Sequence, residues 1–206
     1  ASVLLRGLTA DMLLRRVHAV GPGDWILVQA AAGGVGQLLC RWAAHLGARV
    51  IGTVAQPGQA EVATQAGCTL VLDSRQDDFV QRVREATGGG GVAVAYDGVG
   101  RDTFDRSLQS LDFCGHLVNF GQASGAVAPF DVSRLAARSL SLTRPIIFHH
   151  LRDAAVREAM AGRLFGMLAA GVLSVGAPRL FALADAAQSH RVLEAEGATR
   201  PLLLVP

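Results

Sequence analysis

Lysine is missing altogether: each of the 19 cationic side chains in these 206 residues is an arginine. Schiff-base chemistry on a lysine and a lysine-anchored phosphate loop are both excluded. Cysteine is scarce. Cys40, Cys68 and Cys114 show neither metal-ligand spacing nor the even count of a disulfide framework, so a reducing, cytoplasmic setting is expected. The formal charge is only +2, with no basic stripe of the kind that nucleic acid selects. No apolar run approaches the roughly 18 residues of a membrane span, and no segment has the pattern of a secretory signal. The opening Ala1-Ser2-Val3 lacks a methionine and leads straight into a helical pattern, which predicts a piece cut from a longer chain.

What is plentiful is apolar and small. Half of the residues are hydrophobic and 24 are glycine, enough to bury a sizeable core. Ser2 to Val20 places Leu4, Leu5, Leu8, Met12 and Val17 at helical spacing before Gly21-Pro22-Gly23. Strands are then expected over Trp25 to Val28, Arg49 to Val54, Leu70 to Leu72, Val92 to Tyr96 and His116 to Phe120. Between them lie helical patterns over Gln37 to Leu46, Gln59 to Ala66, Asp77 to Ala86 and Asp102 to Leu111. Such alternation predicts an α/β fold with a doubly wound parallel sheet, the Rossmann architecture, over residues 1–145. Ser139 to Arg144 would add the last, edge strand. After Pro145 the texture changes to a long helix, Asp153 to Ala170, then Arg179 to Phe181, a helix over Asp185 to Glu194, and a strand Leu202 to Val205. Residues 146–206 are accordingly expected to form a separate segment.

The stretch Ala30-Ala31-Ala32-Gly33-Gly34-Val35-Gly36 stands between the first strand and its helix. A dinucleotide turn must let backbone amides approach a pyrophosphate and aim a helix N-terminus at it. Gly33 would allow that approach and Gly36 close helix–strand packing. Ala31 replaces the usual first glycine, which is tolerable at negative φ. The carboxylate that holds an NAD ribose about 20 residues further on is also absent, because no acid occurs between Gly36 and Glu61. That favours NADPH and leaves NADH possible, with Arg75 as the candidate cation for the 2′-phosphate. Arg75 reads equally well as a solvated loop arginine. The segments Tyr96 to Gly100 and Asn119 to Gly125 fall at carboxyl ends of strands, where their glycines would leave room for ribose and nicotinamide. Tyr96 reads as a core ring and Asp97 as a hydrogen-bonded structural acid. His149 and His150, adjacent and without further ligands nearby, read as surface histidines.

Taken with Thr143-Arg144-Pro145 and Ala182-Leu183-Ala184-Asp185-Ala186-Ala187, these motifs resemble the zinc-free, zeta-crystallin-like quinone oxidoreductases of the medium-chain dehydrogenase family. The likeness runs from Gly7 to the terminal Pro206. It implies a metal-free homodimer joined at the edge strand, which passes hydride from NADPH to a quinone or an enone; an enoyl or 2-alkenal reductase and a non-catalytic dinucleotide module are the alternatives. By the resemblance, Gly33, Gly34 and Val35 meet the pyrophosphate, and Ala55, Gln56, Gly58, Gln59 and Ser74 surround the adenosine phosphate. Val99, Phe120, Gly121, Gln122, Ser124, Ile146 and Phe148 line the ribose and nicotinamide. Alanine at position 31 is characteristic of this branch. No residue of this chain is assigned a catalytic role. Residues 146–206 become the return segment of a catalytic lobe whose N-terminal part is not in this sequence. Three departures weaken the hold on the 2′-phosphate: Gln59, Ser74 and Glu196 stand where the family often has lysine, tyrosine and arginine.

Overall fold

In the computed structural model, which describes residues 2–76, 78–174, 176–196 and 201–206, six strands form one parallel sheet in the order β3-β2-β1-β4-β5-β6. The strands are β1 Trp25–Val28, β2 Arg49–Val54, β3 Leu70–Asp73, β4 Val92–Asp97, β5 Leu111–Asn119 and β6 Ser141–Thr143. Parallel neighbours require crossovers. Helices α2 (Gly34–His45), α3 (Ala60–Gln65), α4 (Phe79–Ala86) and α5 (Phe104–Gln109) supply them. The strand order reverses between β1 and β4, and at such a switch point a crevice opens outside the carboxyl ends of the strands. The expected doubly wound sheet is present.

Both faces of the sheet are covered, which is why its strands read as apolar runs. Along β1, Ile26 and Val28 enter one buried cluster with Leu38, Leu39 and Trp42 of α2, while Leu27 enters the other with Phe79, Val83, Phe104 and Leu108. That is period two read directly from a four-residue strand. Each such buried aliphatic side chain contributes about 1.5–3 kcal/mol by leaving water.

Several boundaries move for physical reasons. The expected helix over Ser2 to Val20 divides into α1 (Leu4–Asp11) and a π-helical stretch over Met12–Val17. Tyr96, buried as expected, donates its hydroxyl to the Leu13 carbonyl in that stretch at 3.1 Å. Helix α2 starts three residues before its expected position, because two low-propensity glycines are held helical by tertiary contact. Strand β5 starts at Leu111 rather than His116. A register irregularity separates its two halves, and Cys114 lies there at φ 58°. The expected helix start at Asp77 lies outside the described residues.

Beyond β6 come α6 (Ile147–His150) and α7 (Ala154–Ala169). Helix α7 packs on α1: Met160 and Leu164 join the first core cluster, and Arg163 grips the fully buried Asp11 through two bonds of 2.8 and 2.7 Å. Strands β7 (Arg179–Ala182) and β8 (Leu202–Val205), linked through α8 (Ala186–Glu196), form a separate two-stranded parallel sheet.

Candidate functional site

The glycine turn leaves β1 through Ala30, whose φ is 54°; Ala30, not Ala31, takes the left-handed conformation. Ala31 donates its backbone N–H to the Thr53 carbonyl at 2.9 Å, stapling the turn to β2. Its methyl is fully buried against Gly52, where an added Cβ would stand only 2.7 Å from it. Alanine at 31 and glycine at 52 are therefore one packing solution. Gly36 admits no side chain, because a Cβ would press into the Ala30 carbonyl and lie 2.8 Å from that of Ala31. Gly33 caps α2 with no side-chain acceptor, so the helix directs its first amides and the positive end of its dipole outward.

A groove of about 290 Å³ opens beside this turn, at the carboxyl ends of β1 to β4. It is lined by Gly33, Ala55, Gln59, Ser74 and Val99, together with Gln29, Thr53 and Thr103. Among the described residues no carboxylate lines it. Its floor is a buried hydrogen-bond chain: Thr53 donates to Gln29, Gln29 to Ser107 at 2.9 Å, and Ser107 to Asp97 at 3.0 Å. Asp97 is fully buried and also accepts from the Val99 and Gly100 amides at 2.8 and 2.9 Å and from Thr103 at 2.8 Å. It holds the loop after β4 in place, the structural role expected of it.

The loops after β4 and β5 interlock. Phe120 N–H donates to the Asp97 carbonyl at 2.8 Å, and Ser124 donates through its amide and hydroxyl to the Val99 carbonyl at 2.8 and 2.9 Å. A Cβ on Gly121 would lie 2.6 Å from the Gly98 carbonyl oxygen, and one on Gly98 would lie 2.9 Å from the Phe120 ring. These glycines let two loops touch each other. A second pocket of about 160 Å³ follows, where Phe120, Arg144 and the Ile146–Phe148 strip meet Thr9 and Met12. Phe148 is 67% exposed and Ile146 41%.

The structure thus gathers Gly33, Ala55, Gln59, Ser74 and Val99 in one groove and Phe120, Ile146 and Phe148 in a second pocket. Gly34 faces a small recess beside Arg6. Val35, Gln56, Gly58, Arg75, Gly121, Gln122 and Ser124 line none of these three. Arg75 turns back on its neighbour: its side chain forks onto Asp73 at 3.1 and 3.0 Å and holds that half-buried carboxyl below the usual carboxylate range. The Glu196 side chain lies outside the described residues. His149 is exposed and His150 half-buried, and burial moves the His150 pKa down. Among the described residues no three histidine, cysteine or acidic side chains are grouped to hold a metal.

Arg6 was not legible from local sequence. Its guanidinium lies over Gly34, where a Cβ would come within 2.6 Å of it, and among the described residues it forms no ion pair. A cation held at the positive end of a helix calls for an anion between them.

A family model described as zinc-binding dehydrogenase matches residues 34–161. The chain belongs to that family. Among curated relatives, it is 39% identical over 208 residues to 2-haloacrylate reductase of a Burkholderia species, covering 100% of this chain and 62% of the relative. It is 39% identical over 209 residues to quinone oxidoreductase 1 of Escherichia coli (strain K12), covering 100% and 64%. The crystal structure of the Escherichia coli quinone oxidoreductase complexed with NADPH superposes with a TM-score of 0.94 at 39% identity, over 100% of this chain and 64% of that one. The chain therefore spans less than two thirds of the length of these relatives. The matched region takes in α2, the sheet from β2 to β6 and the first half of α7.

Proposed function

We propose that this chain is the dinucleotide-binding part of an NADPH-dependent quinone oxidoreductase, with NADH as a weaker donor. The observation that carries the reading is a groove whose described lining holds no carboxylate, beside an uncapped helix N-terminus at which Arg6 lies over Gly34; a second, mostly apolar pocket lies at Phe120 and the Ile146–Phe148 strip. The first-turn amides of α2 and the Arg6 guanidinium hold the diphosphate. Ala55, Gln56, Gly58, Gln59 and Ser74 surround the adenosine phosphate, with Arg75 released from Asp73 as its cation. Val99, Gln122 and Ser124 frame the ribose, and Phe120, Gly121, Ile146 and Phe148 form one wall around the nicotinamide. NADPH bound there supplies a hydride to the acceptor, and the product takes its balancing proton from water. The likeness to complexes with NADPH supports the choice of cofactor.

The acceptor is a quinone; an α,β-unsaturated carbonyl is the second reading, supported by the similarity to 2-haloacrylate reductase. Hydride transfer needs donor and acceptor about 3–3.5 Å apart with water excluded. We place the second wall of that site in the part of the relatives that this chain does not span, with residues 146–206 returning toward it from a dinucleotide domain over 1–145. The enzyme is read as metal-free, cytoplasmic and homodimeric through antiparallel pairing of β6, an edge strand of only three residues.

Calorimetry tests the core of this: saturable heat with NADPH, weaker heat with NADH, and loss of both in Gly33→Val. Absence of binding by either cofactor to the wild-type chain overturns the proposal. NADPH oxidation with a small quinone and with an enone then distinguishes the acceptors. Rates should be far lower for this chain than for one extended upstream; equal kcat/KM for the two overturns the placement of the second wall.

A further inference from the structure

At the opposite end of the strands from the cofactor groove lies a further cavity, of about 220 Å³. It is built where α4 and α5 end, just before β4 and β5 begin, and is closed by the 3-10 helical segment Val132–Arg138. Three arginines, Arg84, Arg134 and Arg138, line it together with Gln109, and Leu108, Ala137 and Leu140 form an apolar wall.

The arginines are only partly used. Arg84 donates through Nη2 to the Gln109 carbonyl at 2.8 Å and weakly through Nη1 to that of Gly90 at 3.5 Å. Arg138 donates through Nη1 to the Gly90 and Leu111 carbonyls at 3.1 and 2.9 Å and stacks over Phe113 at 5.2 Å. These bonds fix the heads, and the bond to Gln109 satisfies a carbonyl at the C-terminal end of α5, which would otherwise repel an anion. Arg134 pairs through Nη2 with Asp105 at 2.7 Å and stacks over Phe130 at 5.0 Å. Among the described residues Asp105 is the one carboxylate in ion-pair contact with the trio. Asp105 and, at longer range, Asp131 both offset Arg134, whereas Arg84 and Arg138 form no ion pair among the described residues, in a cavity with an apolar wall. A guanidinium carries five donors in a planar fork suited to carboxylate or phosphate, and most of those fifteen donors remain available.

We infer that this cavity is a second binding site, for a small anionic organic ligand, a phosphate monoester or a dicarboxylate, held by Arg84, Arg134 and Arg138 with its carbon skeleton against Leu108, Ala137 and Leu140. Placed at the amino ends of the strands, it does not compete with the dinucleotide, and it stands whether or not the groove binds NADPH.

The test is calorimetric titration of the chain with glycerol 3-phosphate and with succinate, at physiological ionic strength, with and without saturating NADPH. Saturable one-to-one binding of either probe, unchanged by NADPH, is the expected result; which probe binds identifies the anionic group. Arg134→Ala removes a donor and should weaken binding at least tenfold. Ala137→Asp, at an exposed wall position that makes none of the structural bonds above, should do the same through charge repulsion while leaving the thermal midpoint of the chain unchanged. No saturable heat with either probe, heat that disappears at physiological salt, or affinity unaltered in Ala137→Asp would each overturn the inference. Competition by NADPH would assign the heat to the cofactor groove, with the same consequence.

Discussion

Replacing Asp97 by asparagine should loosen the whole cofactor-facing edge of the sheet. Its two oxygens receive four donors: the Val99 and Gly100 amides, the Thr103 hydroxyl and the Ser107 hydroxyl. Asparagine retains one acceptor oxygen, which the two backbone amides claim. Its NH2 group then faces Thr103 and Ser107, and both hydroxyls must turn to accept. Ser107 already accepts from Gln29, so the disturbance passes along the chain to Thr53 under the groove. Bonds to a charged acceptor are worth about 1.5–3 kcal/mol and neutral ones about 0.5–1.5, a loss near 1 kcal/mol per bond. Over four donors, Asp97→Asn should cost about 2–4 kcal/mol. For a chain of this size that is a fall in Tm of roughly 5–15 °C. Because Val99 lines the groove, NADPH affinity should fall several-fold as well. Scanning calorimetry with cofactor titration reads both. A midpoint within about 2 °C of wild type, with affinity intact, would show that the four donors are not organised by this carboxylate.

Gly36→Ala should destabilise the chain by roughly 1–3 kcal/mol or more, since its methyl meets backbone that cannot yield; a urea midpoint equal to wild type would refute the close approach of α2 to the turn. His18 and His116, whose rings lie 5.5 Å apart, both have pKa values lowered by burial, with Asp24 opposing the shift at His18 and His18 adding to it at His116. Histidines held neutral contribute stability that is complete above the unfolded-state pKa of about 6.5 and is lost as pH falls through and below it. The urea midpoint should therefore decline from pH 7.5 toward about 5.5, and less so in His116→Gln; a flat profile removes the pair from the pH response. Arg75→Ala should weaken NADPH by about two- to fivefold, the size of an exposed ion pair, and leave NADH unchanged; equal losses would return Arg75 to its pairing with Asp73. Sedimentation at tens of micromolar should show a dimer that a proline at Leu142 in β6 dissociates, whereas a wild-type monomer refutes edge pairing.

What the sequence determined alone were features with local causes. Strand–helix alternation, the glycine turn and the lack of an acid after β2 are written in neighbouring residues, because period, φ freedom and charge need no partner to be read. The doubly wound parallel sheet followed from them. Tertiary structure decided the rest. Low helix propensity put the start of α2 at Gln37, yet Gly34 and Gly36 are helical because the chain must press against the Ala30 carbonyl. The glycines at 98 and 121 serve a loop-to-loop contact between strands 4 and 5 that no single segment announces. Arg6 and Thr9 of α1 and Met12 of the π-helical stretch reach the site, and the three arginines of the cavity at the amino ends of the strands come from two elements some fifty residues apart in sequence. Convergence of this kind has no periodic signature, because what brings such side chains together is the packing of whole elements, fixed only when the two faces of the sheet are buried at once.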